Sequence, residues 1–457
     1  MHRGHILRAP KRALFSFAVI LLITAACTGD DDGGGGGGGE EPVELTILDH
    51  QEPRVELLKE LLPQFEKDMA DAGKNITVKL LEGPAEDTQF TTKLTLDYNS
   101  GNAPDVASFG NSATVDFALS GFLLDLTPML EEWSDWEDHF YERLREELVQ
   151  PDGKIYAVPR EAQIVQLFYR KDVLESAGIS TDQPESWQDL LTRMEEATAE
   201  IGDPALLFPA GEAWGGGTFF EGFIHLMLGT DSELYDAEEQ KWIVSSPGLT
   251  EVLNFYEQMT QAGVLPVDPL LNPEPWVPTK YEAFPQGELV ATTCGTWCWM
   301  FDWGPEGAAP IKGLFNKVDT WEFPTAAGGE TFVWGSSGWV WSVSADTEHP
   351  EEAFELVKWL AGGEFVAENA VTVGAASPRD DLADTKPYSN FEFLLQAEQQ
   401  LSDARSFVPP PGTDKMAQAV SEATEQVITG EMAGDEAAGF LAERATELLG
   451  EENVTEQ

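Results

Sequence analysis

Glu44-Leu45-Thr46-Ile47-Leu48, Ile76-Thr77-Val78-Lys79-Leu80-Leu81 and Pro104-Asp105-Val106-Ala107-Ser108-Phe109 are short apolar or alternating runs of the kind that form strands. Between the first two, residues 54–69 place Val55, Leu58, Leu62, Phe65 and Met69 at helical spacing. Pro63 lies inside that pattern and is expected to kink the helix or end it early. A second helix is expected from Thr88 to Tyr98, and Gly110-Asn111-Ser112 reads as a helix start after the third strand. Strand, helix, strand, helix, strand at this spacing predicts an α/β fold whose parallel sheet carries helices on both faces. Ligands of such sheets settle beyond the carboxyl ends of the strands, which singles out the loops 49–52, with Gln51, and 109–112.

Outward from this core the pattern continues. A helix is expected at 131–149, then strands at 154–158 and 165–169, helices at 171–177, 187–200, 218–228 and 248–262, and strands at 289–293 and 339–344. The last third reads as helices at 350–360, 391–404, 416–428 and 437–449. Tryptophans are frequent, and many stand in loop-like, glycine- or proline-rich surroundings: Trp214, Trp276, Trp297, Trp299, Trp303 and Trp334. Sugars lay their C–H faces against such rings while fixed donors and acceptors hold their hydroxyls.

The chain of 457 residues carries 81 Asp and Glu against 27 Lys and Arg, a formal charge of −54. A polyanion of this kind is repelled by nucleic acid and by anionic lipid heads, so no nucleic-acid partner is expected. The charge suits a solvated surface in a saline medium. With 42% apolar residues the chain has ample material for a core.

Residues 1–26 join a basic start, with Arg3, Arg8, Lys11 and Arg12, to an apolar run too short to span a bilayer, the layout of a signal peptide. Thr24-Ala25-Ala26-Cys27 resembles a bacterial lipobox, although leucine is usual where Thr24 stands. Cys27 is accordingly expected to take lipid, and residues 27–42, with glycine from 33 to 39, to act as a tether. The localisation expected is extracytoplasmic, with membrane contact through that lipid alone. Cys294 and Cys298 remain. In an oxidising exterior a small disulfide is expected; the spacing has one residue too many for a thioredoxin-like pair, and no histidine lies near enough to suggest zinc. No metal and no cofactor is expected.

Several further segments, in order, resemble the extracellular solute-binding proteins of ABC importers, specifically the family 1 sugar binders that include maltose-binding protein. They are Ser100-Gly101-Asn102-Ala103-Pro104-Asp105-Val106, the turn 120–126, Asp152-Gly153-Lys154-Ile155-Tyr156-Ala157-Val158-Pro159, Phe168-Tyr169-Arg170-Lys171-Asp172 and Pro184-Glu185-Ser186-Trp187. Phe284-Pro285-Gln286-Gly287, Gly295-Thr296-Trp297 and the loop 374–379 follow. The resemblance implies a two-lobed periplasmic-binding-protein fold of type II-like topology, each lobe a sheet flanked by helices, joined by hinge strands. It places lobe 1 at 43–161 plus 335–379 and lobe 2 at 162–334 plus 380–457. It implies a monomer that closes on a sugar or oligosaccharide and docks on ABC permease subunits. Carried over by position, Trp297 and Trp214 would stack on the ligand, and Gln163, Glu212, Asn111, Phe109 and Ser112 would contact it. Phe109 stands where the maltose binder has a tryptophan and Ser112 where it has an acid; Trp334 and Arg379, next to the expected hinge, are further expected ligand contacts, as is Gln51 at its strand end.

Two other readings stay open: the same fold binding a polyol, a glycerol phosphodiester or a polyamine, and a secreted glycoside hydrolase. With so many acids a carboxylate pair is available anywhere, and no Gly-x-Ser-x-Gly, His-Glu-x-x-His or Walker loop occurs. The expectation is therefore no enzyme.

Overall fold

The structure, a computed structural model, describes residues 42–457; the leader, Cys27 and nearly all of the glycine-rich spacer lie outside the described residues. The three strands read first do form a parallel set. Val43–Asp49 lies between Ile76–Glu82 and Val106–Gly110, with Ile47 opposite Val106. Trp339–Val343 then adds antiparallel to Val106–Gly110, and Val158–Pro159 closes the sheet. Leu45, Ile47, Phe90, Val106, Phe109, Trp341 and Leu356 are buried in one core around it. The helices Glu52–Asp71, Asp87–Ser100 and Pro350–Leu360 are amphipathic and turn their apolar sides into the protein.

A second sheet is built on Gln163–Arg170, which pairs antiparallel with Val318–Trp321, Ala291–Gly295 and Trp334–Ser336; Leu206–Leu207 joins at the edge. Its core is separate and holds Leu167, Phe168, Leu190, Phe219, Tyr256, Trp303, Val420 and Leu441. The helices Trp187–Ile201, Pro247–Gln261, Thr413–Ile428 and Gly434–Leu449 supply much of it. Two sheets with two cores make two lobes. The chain passes between the sheets at residues 160–162 and again at Ser337 and Gly338, and Ala162 pairs with Ala376 beside the first passage.

Three expectations are corrected. The first helix runs unbroken from Glu52 to Asp71 with Pro63 inside it. Pro63 is solvent-exposed, so the carbonyl it leaves unpaired can face water, while Leu58, Leu62 and Phe65 hold the opposite side in the core. The helix expected at 131–149 is three short ones, Thr127–Glu131, Ser134–Asp138 and Glu142–Glu147. Trp136, Phe140, Leu144 and Leu148 keep their four-residue spacing and are buried, but Phe140 pairs with Arg379 and the Tyr141 amide donates to the Pro378 carbonyl, which interrupts the helical ladder. The strand expected at 154–158 shrinks to Val158–Pro159, and Gly363–Val373 is a helix with no counterpart in the expectations.

One buried acid, Asp302, and one half-buried acid, Glu398, give the fold a pH dependence. Burial pushes the Asp302 carboxyl up to about 6, with Lys280 pulling the other way. Burial likewise pushes Glu398 up to about 7, with the Tyr388 hydroxyl opposing it and Asp380 and Asp381 adding to it. Both folded-state values lie above those of the unfolded chain, so the folded protein binds more protons between about pH 4 and 7 and loses stability as pH rises through that window. Thermal unfolding should therefore shift to lower temperature from pH 5 to pH 7.5, and Glu398→Gln should flatten the slope. An equal slope in the variant would remove Glu398 from the account.

Candidate functional site

The first parallel strand ends at Asp49 and delivers His50 and Gln51 to the carboxyl edge of lobe 1. Gln51 has φ 65, a left-handed conformation uncommon outside glycine, and directly precedes the first helix. Its side-chain amide donates to Asp87 Oδ1 at 2.8 Å and its carbonyl accepts from Arg54 Nε at 3.0 Å. His50 stacks on Phe90 at 3.8 Å, with Nε2 2.8 Å from the same Asp87 oxygen. Arg54 continues inward to Glu161 at 2.9 Å, and Glu161 accepts from Gln163 Nε2 at 3.0 Å and from Asn369. Arg160, fully buried, pairs with Asp49, donates to Ser108 and Asn369, and covers the Trp341 ring at 4.4 Å. Arg54 lies over Trp339 at 4.8 Å. A chain of buried charges at the first passage between the lobes thus fixes the rotamers of Gln51, Asp87 and Gln163.

Lobe 2 presents aromatic groups. Trp297 follows the strand Ala291–Gly295 in a short helical turn and is partly exposed, with no ring partner among the described residues. Trp214 is 7% exposed, edge-on to Trp276 at 6.5 Å and beneath the Lys280 ammonium at 5.7 Å. Lys280 pairs with Glu221, and Tyr281 donates to Asp302 at 3.3 Å. Burial raises the Tyr281 hydroxyl far above its ordinary value, and the negative charges of Asp302, Glu221 and Asp87 raise it further. Asp87 belongs to lobe 1, so charge on that lobe bears on Tyr281. A Cβ at Gly215 would stand 3.7 Å from the Thr88 hydroxyl, and one at Gly374 would stand 3.1 Å from the Trp297 Cα. Burial raises the Asp116 carboxyl of lobe 1, against the Gly412 backbone and Lys415 of lobe 2.

The residues named from sequence fall into three groups. Gln51, Gln163 and Trp297 belong to these facing surfaces; Trp214, 7% exposed, is largely buried in the lobe 2 core, which differs from the stacking ring expected. Asn111 and Ser112 follow the third strand. Asn111 donates to Glu147 at 2.9 Å and lines a pocket of about 280 Å³ between Val149 and Pro151 on one side and Tyr235 and Val408 to Pro411 on the other. Ser112 is half-buried and makes no side-chain hydrogen bond among the described residues. Of the remaining four, Phe109, Arg379 and Trp334 are buried where ligand contacts were expected, and Glu212 is exposed. Phe109 is fully buried in the lobe 1 core, edge-on to Phe117, because its strand is covered on both faces. Arg379 is 2% exposed and spends its guanidinium on Asp381, Asp135 and the Ala361 carbonyl, over the Phe140 ring, so it ties its loop to lobe 1. Trp334 is buried beside His225 at 5.7 Å. Glu212 is exposed; partial burial raises its carboxyl, and Glu425 and Glu422 raise it further.

Asp87, Arg54, Trp339, Lys280 and Tyr281 were not singled out from sequence, and Glu161 was singled out only as the first crossing between the lobes. Asp87 and Arg54 were readable only as the edge of a helix, and nothing in the sequence marks the Glu161 carboxylate as the partner of Arg54 and Gln163. Cys294 and Cys298 are bonded, their Cα atoms 6.3 Å apart. The Trp297 indole lies against Gly295, where an added Cβ would fall 1.8 Å from a ring carbon. Gly295 has φ −93, which alanine adopts freely, so Gly295→Ala should displace the indole without straining the chain. We expect the variant to keep its unfolding temperature within a few degrees and to alter tryptophan emission; unchanged emission would contradict the packing described.

Residues 60–422 match the family described as bacterial extracellular solute-binding protein. The chain is 23% identical to the multiple sugar-binding protein of Streptococcus mutans over 332 residues, 70% of this chain and 71% of that one. It is 27% identical to the putative ABC transporter periplasmic-binding protein YcjN of Escherichia coli, spanning 46% of each chain, about half of that relative's length. Among solved structures, maltose-bound MalE3 of T. maritima superposes with a TM-score of 0.74 at 20% identity, covering 89% of this chain and 100% of that one. Two sheets with separate cores, joined where buried charges cross, are thus the two lobes of this fold, and the chain belongs to the bacterial extracellular solute-binding protein family.

Proposed function

We propose that this protein is the lipid-anchored, extracytoplasmic solute-binding component of an ABC importer, which captures a sugar or oligosaccharide between its lobes and delivers it to a membrane permease. One observation carries the reading: a partly exposed indole, Trp297, on lobe 2, with Gln163 and the largely buried Trp214 on the same lobe and the hydrogen-bonding pair Gln51 and Asp87 on lobe 1. Rings supply stacking for pyranose C–H faces, and fixed amides and carboxylates supply partners for hydroxyls. The proposed moving bodies are residues 43–161 with 337–379 and 162–336 with 380–457, the expected boundary at 334–335 shifting because Gly335 and Ser336 pair with Ile164 and Gln163 of lobe 2, and a ligand touching both bodies selects the closed arrangement. Nothing in this arrangement is assigned to bond breaking; the solute leaves as it came.

Calorimetric titration of residues 43–457 with a panel of mono- and oligosaccharides tests this. We expect one saturable site of about micromolar affinity, or roughly −8 kcal/mol, with the sugar recovered intact. Binding of polyols or polyamines in place of sugars would keep the fold and overturn the ligand; glycoside cleavage would overturn the binding-protein reading. For the anchor, Cys27→Ala should release the protein from membranes into the medium, and retention at the membrane would refute lipid attachment at that residue.

A further inference from the structure

The Cys294–Cys298 bond closes a ring of five residues, and Trp297 is inside it. Within this ring Thr296 and Cys298 are buried while Trp297 keeps part of its surface free. The indole folds back over Gly295, and Gly374 closes on Thr296 and Trp297 from the other side, where an added Cβ would meet the Thr296 carbonyl at 2.9 Å. The Trp297 carbonyl accepts from the Met300 and Phe301 amides at 3.0 and 2.7 Å. The sulfurs are bedded as well: Cys298 Sγ is 2.9 Å from Asp302 Oδ2, and Cys294 Sγ is 3.6 Å from the Lys280 ammonium.

We propose that the Cys294–Cys298 bond is a positioning element of the solute site, which fixes the backbone of residues 295–297 so that the Trp297 indole is presented to the ligand in one orientation. The proposal rests on the stacking role given to Trp297 above. Gly295 leaves that segment conformationally loose, and a platform that must be ordered by its ligand loses affinity to the ordering. A bond across only four positions constrains the unfolded chain less than one closing a long loop, so its effect is concentrated on the ring it encloses.

The test uses the mature chain in a Cys27→Ala background, labelled with 5-fluorotryptophan, with the Trp297 resonance assigned by its absence in Trp297→Phe. In Cys294→Ala/Cys298→Ala the Trp297 resonance should broaden or shift while that of Trp341, in the other lobe, stays in place. The tightest sugar of the panel should bind at least tenfold more weakly to this variant, yet lose less than twofold when the same pair is replaced in a Trp297→Ala background. An unmoved Trp297 resonance, or an equal loss in both backgrounds, would overturn the proposal. If no sugar binds the wild type, the function proposed above fails, and the fluorine spectrum still decides this one. Should the double alanine variant fail to fold, Cys294→Ala/Cys298→Val refills the buried space and is read in the same way.

Discussion

Arg160→Met should lower the stability of the protein by about 3 to 5 kcal/mol, the usual result of removing one partner from a buried ion pair. Arg160 and Asp49 are both fully buried, and the guanidinium also serves Ser108 and Asn369. Methionine fills much of the same space but leaves the Asp49 carboxylate without its counter-charge in a site closed to water. The penalty is that of an unpaired charge, and it exceeds the worth of the pair itself. Asp49→Asn added to Arg160→Met should therefore recover part of the loss, which a chain that had simply lost packing would not do. Denaturant unfolding of the single and double variants measures both quantities. A single variant within 1 kcal/mol of wild type would show that Asp49 finds another partner or takes up a proton. Because Glu161 and Asn369 join the same network to Gln163 and Gln51, the single variant should also bind sugar more weakly.

Trp297→Ala should weaken sugar binding by about 1 to 3 kcal/mol, the range for losing a well-packed aromatic contact at the centre of an interface. The ring is partly exposed, packs at the margin of the lobe 2 core and has no ring partner among the described residues, so its removal opens less of that core than the loss of a fully buried ring. Affinity and stability should for that reason separate: a large change in Kd with an unfolding temperature close to that of wild type. Trp303→Ala is the contrast. That side chain is fully buried, stacked on Phe284 at 4.1 Å, and donates to the Lys280 carbonyl, so its loss should act on stability first. A Trp297→Ala protein that binds as tightly as wild type would place the solute elsewhere.

The strand set at 43–109 was legible because the inner strand Val106–Gly110, buried on both faces, leaves a continuous apolar run, its neighbours leave apolar or alternating ones, and the helices between them leave a 3.6-residue period. The early end expected at Pro63 did not occur because a proline signal is local, whereas Leu58, Leu62 and Phe65 hold that helix through tertiary packing. The stretch 131–149 failed for the converse reason: its period is helical, but its backbone bonds go to residues 378 and 379, far along the chain. In the site, loop tryptophans could be picked out as rings in glycine-rich surroundings. Phe109 and Arg379 could not be told from ligand contacts, since burial on both faces and a ring of acids are properties of the folded chain. The side-chain roles of Asp87 and Glu161 were hidden by abundance; among 81 acids nothing in the sequence marks the two that meet Gln51 and Gln163.

The central claim is that a sugar is held against Trp297 between the two lobes. Its most direct test is a titration of tryptophan emission, for residues 43–457 and for the same chain with Trp297→Phe, against the panel of mono- and oligosaccharides at several salt concentrations. The account predicts a saturable change on at least one sugar in the wild type and a weaker, smaller one in the variant. A folded wild type that stays silent on every sugar, or a sugar that titrates both proteins alike, would contradict it.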